Sequence, residues 1–155
     1  MELSEIYKEE LLTSIPVVSG MHLSIYDIKS HSISILAPLE KNINYEGTAF
    51  GGSINTLCIL SSYLLVHHLI RSETGSAPKS LVIQNGSIDY LKPVTSDFIA
   101  CSRIQDKSLE RFMKIFSKKK LGRIEVSADI RLPGEEEVLA VFKGRFVVNN
   151  QEQVQ

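Results

Sequence analysis

One long apolar segment, residues 54–70, limits the folds that this chain can adopt. Leucine, isoleucine and valine occupy all sides of the helix that the segment predicts, so other elements must surround that helix. Asn55, Thr56, His67 and His68 interrupt the apolar run, and a membrane span needs about 20 mostly apolar residues. The segment therefore predicts a buried central helix, ending near residue 71, rather than a membrane span.

Strand patterns account for most of the remaining chain. Alternating apolar and polar residues predict two strands before the central helix, separated by a short turn, and four strands after it. The sequence PGEE predicts a hairpin turn between the last two. Residues 2–15 predict a short covering helix, whereas residues 108–120 fit either a helix or extended structure. The strands are predicted at residues 21–28, 31–37, 80–91, 97–104, 122–132 and 137–148.

The predicted elements combine into one architecture. An antiparallel sheet of about six strands can curl around an apolar helix, which gives a single-layer α+β wrap known as the hotdog arrangement. The sequence contains no internal repeat, low-complexity tract or linker. We therefore expect a single domain over residues 1–155.

Charge and cysteine content limit the partners. The formal net charge is −1 and the isoelectric point is near 6.4, so no nucleic acid partner is expected. Cys58 and Cys101 lie far apart in apolar surroundings and predict neither a disulfide nor a metal site. The acidic N-terminal segment lacks the features of a secretory signal, which predicts a cytoplasmic location.

Three glycines directly precede the central helix. Gly47, Gly51 and Gly52 let another group approach backbone N–H donors at the helix N-terminus, which indicates a site for a carbonyl oxygen or an anion. The alternative is a tight turn with no ligand.

Two sequence motifs carry a resemblance to a known family. NINYEGTAFGGS at 42–53 and SIDYLKPV at 87–94 resemble the thioesterase domain found at the C-terminus of YiiD-type acetyltransferases, a branch of the hotdog superfamily. The resemblance implies hydrolysis of a coenzyme A or acyl carrier protein thioester without a cofactor. It also implies a homodimer or a dimer of dimers.

The resemblance extends to some catalytic positions and fails at others. Hotdog thioesterases of the phenylacetyl-CoA type carry an Asn, then His-Gly-Gly, then an Asp on the helix. Asn44, Gly51 and Gly52 fit this pattern, but Phe50 stands at the His and Ile59 at the Asp. Isoleucine can serve neither as base nor as nucleophile. What remains is a set of amides that can hold a thioester carbonyl.

The expected site combines these residues with their neighbours. Asn44 is expected to orient a water, or alternatively to close an Asx turn. Ser53 is expected to supply a hydroxyl, or alternatively to satisfy backbone donors of the first helical turn. The proposed catalytic residues are Asn44, Gly51, Gly52 and Ser53, and the proposed substrate-binding residues are Thr48, Phe50, Asn55 and Tyr90.

Other reactive side chains receive structural interpretations. Asp89 is the best-placed additional carboxylate, although pairing with Lys92 or Arg103 is expected. Cys58 has no basic neighbour in sequence and is interpreted as an inert core thiol. Two classes of function follow: a thioester hydrolase, and a non-catalytic protein that binds an acyl thioester or fatty acyl group. A dehydratase is less favoured, because no His with an acidic partner lies on the helix.

Overall fold

The computed structural model describes residues 1–152 and contains a six-stranded antiparallel sheet curled around one long helix. The strand order is β1-β2-β4-β5-β6-β3. The helices are α1 (Leu3–Ser14), α2 (Gly51–Thr74) and α3 (Asp106–Lys119). The strands are β1 (Ser24–Lys29), β2 (Ser32–Ala37), β3 (Ser80–Tyr90), β4 (Phe98–Arg103), β5 (Leu121–Arg131) and β6 (Ala140–Asn149). The α+β architecture predicted from the sequence is confirmed.

Helix α2 forms the centre of the core. Leu57, Leu65 and Ile70 are fully buried against the inner face of the sheet. By length and hydropathy α2 could cross a membrane, but 61% of its apolar stretch is buried inside the fold. Burial by the sheet explains the apolar composition of α2, as expected for the core helix of a wrapped domain.

Two element boundaries differ from the sequence prediction. The first strand starts at Ser24 rather than at residue 21, because a 3₁₀ helix (Pro16–Met21) and a left-handed residue, His22 with φ 53°, precede it. Helix α2 continues to Thr74 and ends at Gly75, whose φ of 81° places it in the left-handed region that favours glycine. The spacing of apolar residues does not indicate where such elements begin or end, because these boundaries depend on residues in the left-handed conformation.

The structure shows that residues 108–120 are mostly helical and that the connection between β5 and β6 is longer than predicted. Residues 108–120 lie mostly in α3, whose Phe112 and Phe116 are buried and pack beside Gly122 of β5. The PGEE sequence forms a turn with Gly134 at φ 78°, but β6 starts only at Ala140, so this connection is longer than a tight hairpin.

The inward row of β6 leaves no space for a side chain at Gly144. A Cβ there would lie 2.8 Å from Cζ of Phe142 and 3.1 Å from Cε2 of Phe146, and both rings are buried. We expect Gly144→Ala to lower the free energy of unfolding by about 1–3 kcal/mol in urea denaturation. Gly20→Ala is the control, because a Cβ at Gly20 would meet nothing within 4 Å. Equal stability of the two variants would contradict this packing argument.

Candidate functional site

The N-terminus of α2 presents a group of backbone amides. Phe50 is the N-cap residue and makes no side-chain capping bond. The first helical hydrogen bond is donated by the amide of Ile54 to the carbonyl of Phe50, at 3.1 Å. The amides of Gly51, Gly52 and Ser53 therefore have no acceptor within the helix. They lie at the positive end of the helix dipole, where a carbonyl oxygen or an anion is stabilised.

Asn44 organises the loop that leads into α2. Its Oδ1 accepts hydrogen bonds from the amides of Glu46 (2.9 Å) and Thr48 (3.1 Å). Its Nδ2 donates to Oγ1 of Thr48 at 2.9 Å and to the carbonyl of Ala49 at 3.4 Å. These four bonds use the donors and acceptors of the amide group. In this arrangement Asn44 closes an Asx turn with the amide of Glu46, bonds also to Thr48, and has no free group with which to hold a water.

Asn42 is a positioning residue that the sequence reasoning missed. Its buried Nδ2 donates to the carbonyls of Met21 (3.1 Å) and Pro38 (2.8 Å). Its backbone carbonyl accepts a hydrogen bond from the amide of Phe50 at 2.7 Å, which fixes the N-cap of α2. The signal available in the sequence was the NIN motif that begins at this residue, because Asn side chains commonly bond to backbone groups in loops.

Two aromatic rings flank the free amides. The hydroxyl of Tyr90 donates to the carbonyl of Gly51 at 2.9 Å, and its ring would lie 3.5 Å from a Cβ at that position. The ring of Phe50 lies so close to Gly52 that a Cβ there would be 2.8 Å from its Cζ. Phe50 and Tyr90 are 56% and 52% exposed, so both rings stand at the surface around the amides. The structure thus places both predicted aromatic residues beside both predicted glycines.

The other predicted polar residues lie in the first turns of α2. Ser53 and Asn55 are half-buried, and Ser53 is a first-turn residue rather than the N-cap. Gly51, Asn55 and Ile59 are spaced four residues apart and share one face of the helix. All three are half-buried, whereas Ile54, Leu57 and Cys58 between them are buried. Ile59 lies about 12 Å along the helix axis from Gly51, on the face that the family pattern would give to a carboxylate.

Asp89 lies outside this site. It occupies β3 next to the strand residue that contacts α2, and successive residues of a strand point to opposite faces of the sheet. The expected pairing of Asp89 is wrong, because Lys92 pairs instead with Glu137 and Arg103 pairs with Asp129 at 3.2 Å. Each of these cations thus has another carboxylate within ion-pair distance.

The remaining reactive side chains of α2 have structural roles. Burial raises the pKa of the Cys58 thiol to about 12, which confirms that it is inert at neutral pH. Nδ1 of His68 is 2.7 Å from the hydroxyl of Tyr7 on α1. Desolvation lowers the pKa of His67 and of His68, so both rings are neutral at pH 7.

The family is decided by a match over nearly the whole chain. The family model described as "Putative thioesterase (yiiD_Cterm)" matches residues 4–150. The chain belongs to this family. No curated protein matches it.

Solved structures share the fold of this yiiD_Cterm protein. A protein of unknown function from Chlorobaculum tepidum TLS is 26% identical, with a TM-score of 0.83 over 96% of this chain and 95% of that chain. A "putative thioesterase" from Shewanella oneidensis is 24% identical, with a TM-score of 0.79 over 95% and 97%. A thioesterase from Haemophilus influenzae is 18% identical, with a TM-score of 0.70 over 95% and 92%. The fold is therefore that of hotdog thioesterases.

Proposed function

We propose that this yiiD_Cterm protein hydrolyses an acyl thioester of coenzyme A or acyl carrier protein, in the cytoplasm and without a cofactor or metal. The observation that carries the proposal is the group of amides at Gly51, Gly52 and Ser53, which have no helical acceptor and lie between two exposed aromatic rings. A thioester carbonyl is a neutral acceptor that becomes an oxyanion during acyl transfer, and amides at a helix N-terminus stabilise that charge.

The proposed reaction uses these amides and a water. The carbonyl oxygen accepts hydrogen bonds from the amides of Gly51 and Gly52 while a water oxygen bonds to the carbonyl carbon. The C–S bond then breaks, the sulfur leaves as a thiolate, and the water proton passes to solvent. A thiol of pKa about 8.5 leaves readily without a general acid. Ser53 and Asn55 supply the hydroxyl and amide that orient the water, while Asn42 and Asn44 hold the loop that positions the amides.

The missing carboxylate favours a second candidate function. Ile59 and Phe50 stand at the positions of the family Asp and His, so the general base of that pattern is missing, and general-base assistance normally contributes about 10²- to 10⁴-fold. A protein with the carbonyl cradle alone binds an acyl thioester or fatty acyl group without turnover. We favour slow hydrolysis, because positioned amide donors alone contribute about 10²- to 10³-fold.

A panel of acyl-CoA esters of increasing chain length separates the two candidates. Release of free thiol is followed optically, and mass spectrometry of the natively purified protein identifies any bound acyl group. Slow, enzyme-dependent thiol release supports the hydrolase. An intact acyl thioester recovered on the protein, with thiol release at the background rate, supports the binding protein instead.

The free edge of the sheet supports the dimer. Strand β3 lies at one edge and exposes large apolar side chains, including Val82, Ile83 and Tyr90. A long apolar edge strand presents unpaired backbone groups that pair readily with another chain. The opposite edge strand, β1, packs against α1. We propose that β3 pairs with β3 of a second copy, which places the α2 N-terminus and Phe50 near the partner. Pairing of two such dimers is an alternative assembly.

Charged residues on β3 test this dimer. We expect the double variant Val82→Lys/Ile83→Lys to be monomeric by light scattering at micromolar concentration. The lysines on the β3 strands of the two chains would repel each other, and pairing would remove their charges from water. Tyr26→Lys is the matched control, because Tyr26 is an exposed large side chain on the other edge strand, and it should leave the dimer intact. A monomeric wild-type protein under the same conditions contradicts the shared-edge dimer.

A further inference from the structure

The sheet face turned away from α2 contains a groove of about 640 Å³. This volume lies within the range of about 300–1,000 Å³ that is usual for small-molecule pockets. The groove crosses four neighbouring strands, β4, β5, β6 and β3, and is closed at one end by Gln105 and Ser108 at the start of α3. None of these residues belongs to the thioester site.

Two cross-strand rows line the groove. The strand register aligns Arg103 of β4 with Ser127 of β5, Ser127 with Lys143 of β6, and Lys143 with Ser87 of β3. Cross-strand partners share a sheet face, and neighbouring strands are about 4.8 Å apart, so Arg103 and Lys143 lie about 10 Å apart along the row. The adjacent row contains Arg145, about 7 Å from Lys143 along β6.

The lining is positively charged on a chain whose net charge is −1. Three cations, Arg103, Lys143 and Arg145, face one carboxylate, Glu125. Arg145 pairs with Glu125 at 3.2 Å, and Arg103 pairs at 3.2 Å with a carboxylate outside the lining. Lys143 forms no ion pair within residues 1–152. The central cation of the groove is therefore available to a ligand.

We propose that this groove binds a small anion that carries two or more phosphate groups. Arginine forks and a lysine ammonium bind phosphate oxygens through charge-assisted hydrogen bonds, and Ser87, Ser127 and Asn85 supply neutral donors beside them. Cations spaced about 7–10 Å apart, on long side chains, suit several phosphate groups better than one.

The groove and the α2 N-terminus lie on opposite faces of the sheet. Tyr90 contacts Gly51 on the inner face, whereas Ser87, three residues earlier on β3, points to the outer face. The groove therefore does not hold the thioester carbonyl. Two sources fit its chemistry: the nucleotide end of a coenzyme A molecule that crosses the edge strand, or a separate phosphorylated ligand.

Calorimetric titration with pyrophosphate tests the groove. We expect saturable binding of one pyrophosphate per chain, weakened about 10-fold or more in Lys143→Ala, because a charged hydrogen-bonding partner is lost. Arg123→Ala is the matched control, because Arg123 lies on the same outer face of β5 but outside the groove, and it should bind like the wild type. Absence of saturable binding, or equal losses in both variants, overturns the proposal.

Competition identifies the source of the phosphates. If the nucleotide end of the substrate occupies the groove, coenzyme A displaces pyrophosphate and pantetheine does not. If a separate ligand occupies it, pyrophosphate stays bound in the presence of coenzyme A. Both results support the groove as a phosphate site. Since the titration measures binding rather than turnover, a failure of the hydrolase proposal leaves this result interpretable.

Discussion

Replacing Gly52 with valine is expected to lower thioester hydrolysis by about 10²- to 10³-fold while the domain stays folded. The valine Cβ would lie within 3 Å of the ring of Phe50, at 2.8 Å from Cζ. Because Phe50 is 56% exposed, its ring can turn into solvent. The β-branched side chain then stands beside the amides of Gly52 and Ser53 and blocks the approach of a carbonyl. Initial rates of thiol release, with circular dichroism for folding, measure the effect.

The Phe50 ring requires its own control. Phe50→Ala removes the ring without covering the amides and is expected to change the rate much less than Gly52→Val does. The double variant relieves the close contact and should remain inactive, because the valine still covers the amides. A folded Gly52→Val protein with wild-type activity would remove the amide cradle from the mechanism. A full loss in Phe50→Ala alone would assign the effect to the ring instead.

The sequence predicts the architecture well because the decisive signals are local. The all-round apolar character of α2 requires a surrounding sheet, and the alternation in β5 marks which residues face the helix. The start of β1 was less predictable, because His22 adopts a left-handed conformation that no periodicity indicates. Helix α3 was ambiguous because its buried Phe112 and Phe116 fit a helical face or part of a strand equally well.

The candidate site is only partly predictable, because its positions are fixed by partners that are distant in sequence. Gly51 and Gly52 were found from the helix entrance, and the structure adds a packing reason for Gly52, against which the ring of Phe50 lies, whereas a Cβ at Gly51 would make only an ordinary contact with Tyr90. The sequence does not show that Asn42 bonds to the carbonyl of Met21, 21 residues earlier. Nor does the sequence show that the side-chain amide of Asn44 makes its hydrogen bonds to Glu46 and Thr48 within the loop.

The outer-face groove was beyond sequence reasoning for a related reason. Arg103, Ser127 and Lys143 become neighbours only through the register of three strands, and a shift of one residue would turn one of these side chains to the other face. Charge counted along the chain shows no basic cluster at these positions, because they are spread over three separate strands.

Replacing Ile59 with aspartate is expected to raise hydrolysis by about 10²- to 10⁴-fold, the usual contribution of a general base. Ile59 stands at the position of the family Asp and is half-buried on the α2 face that also carries Gly51 and Asn55, where it packs against the edge of the core. Thiol release from the best acyl-CoA of the panel measures the gain. The rate of the variant should rise with pH as the new carboxyl group ionises, because only the carboxylate accepts a proton from water.

Ile59→Asn is the matched control, because asparagine has nearly the same shape and polarity but cannot act as a base. It should leave the rate near that of the wild type. An unpaired carboxylate at a half-buried position lowers stability by up to several kcal/mol, so urea denaturation of both variants shows how much of each chain is folded during the assay. Equal rates in folded Ile59→Asp and Ile59→Asn would show that the missing carboxylate does not limit turnover. In that case the water is activated by a group outside the α2 face, and the slow step lies elsewhere.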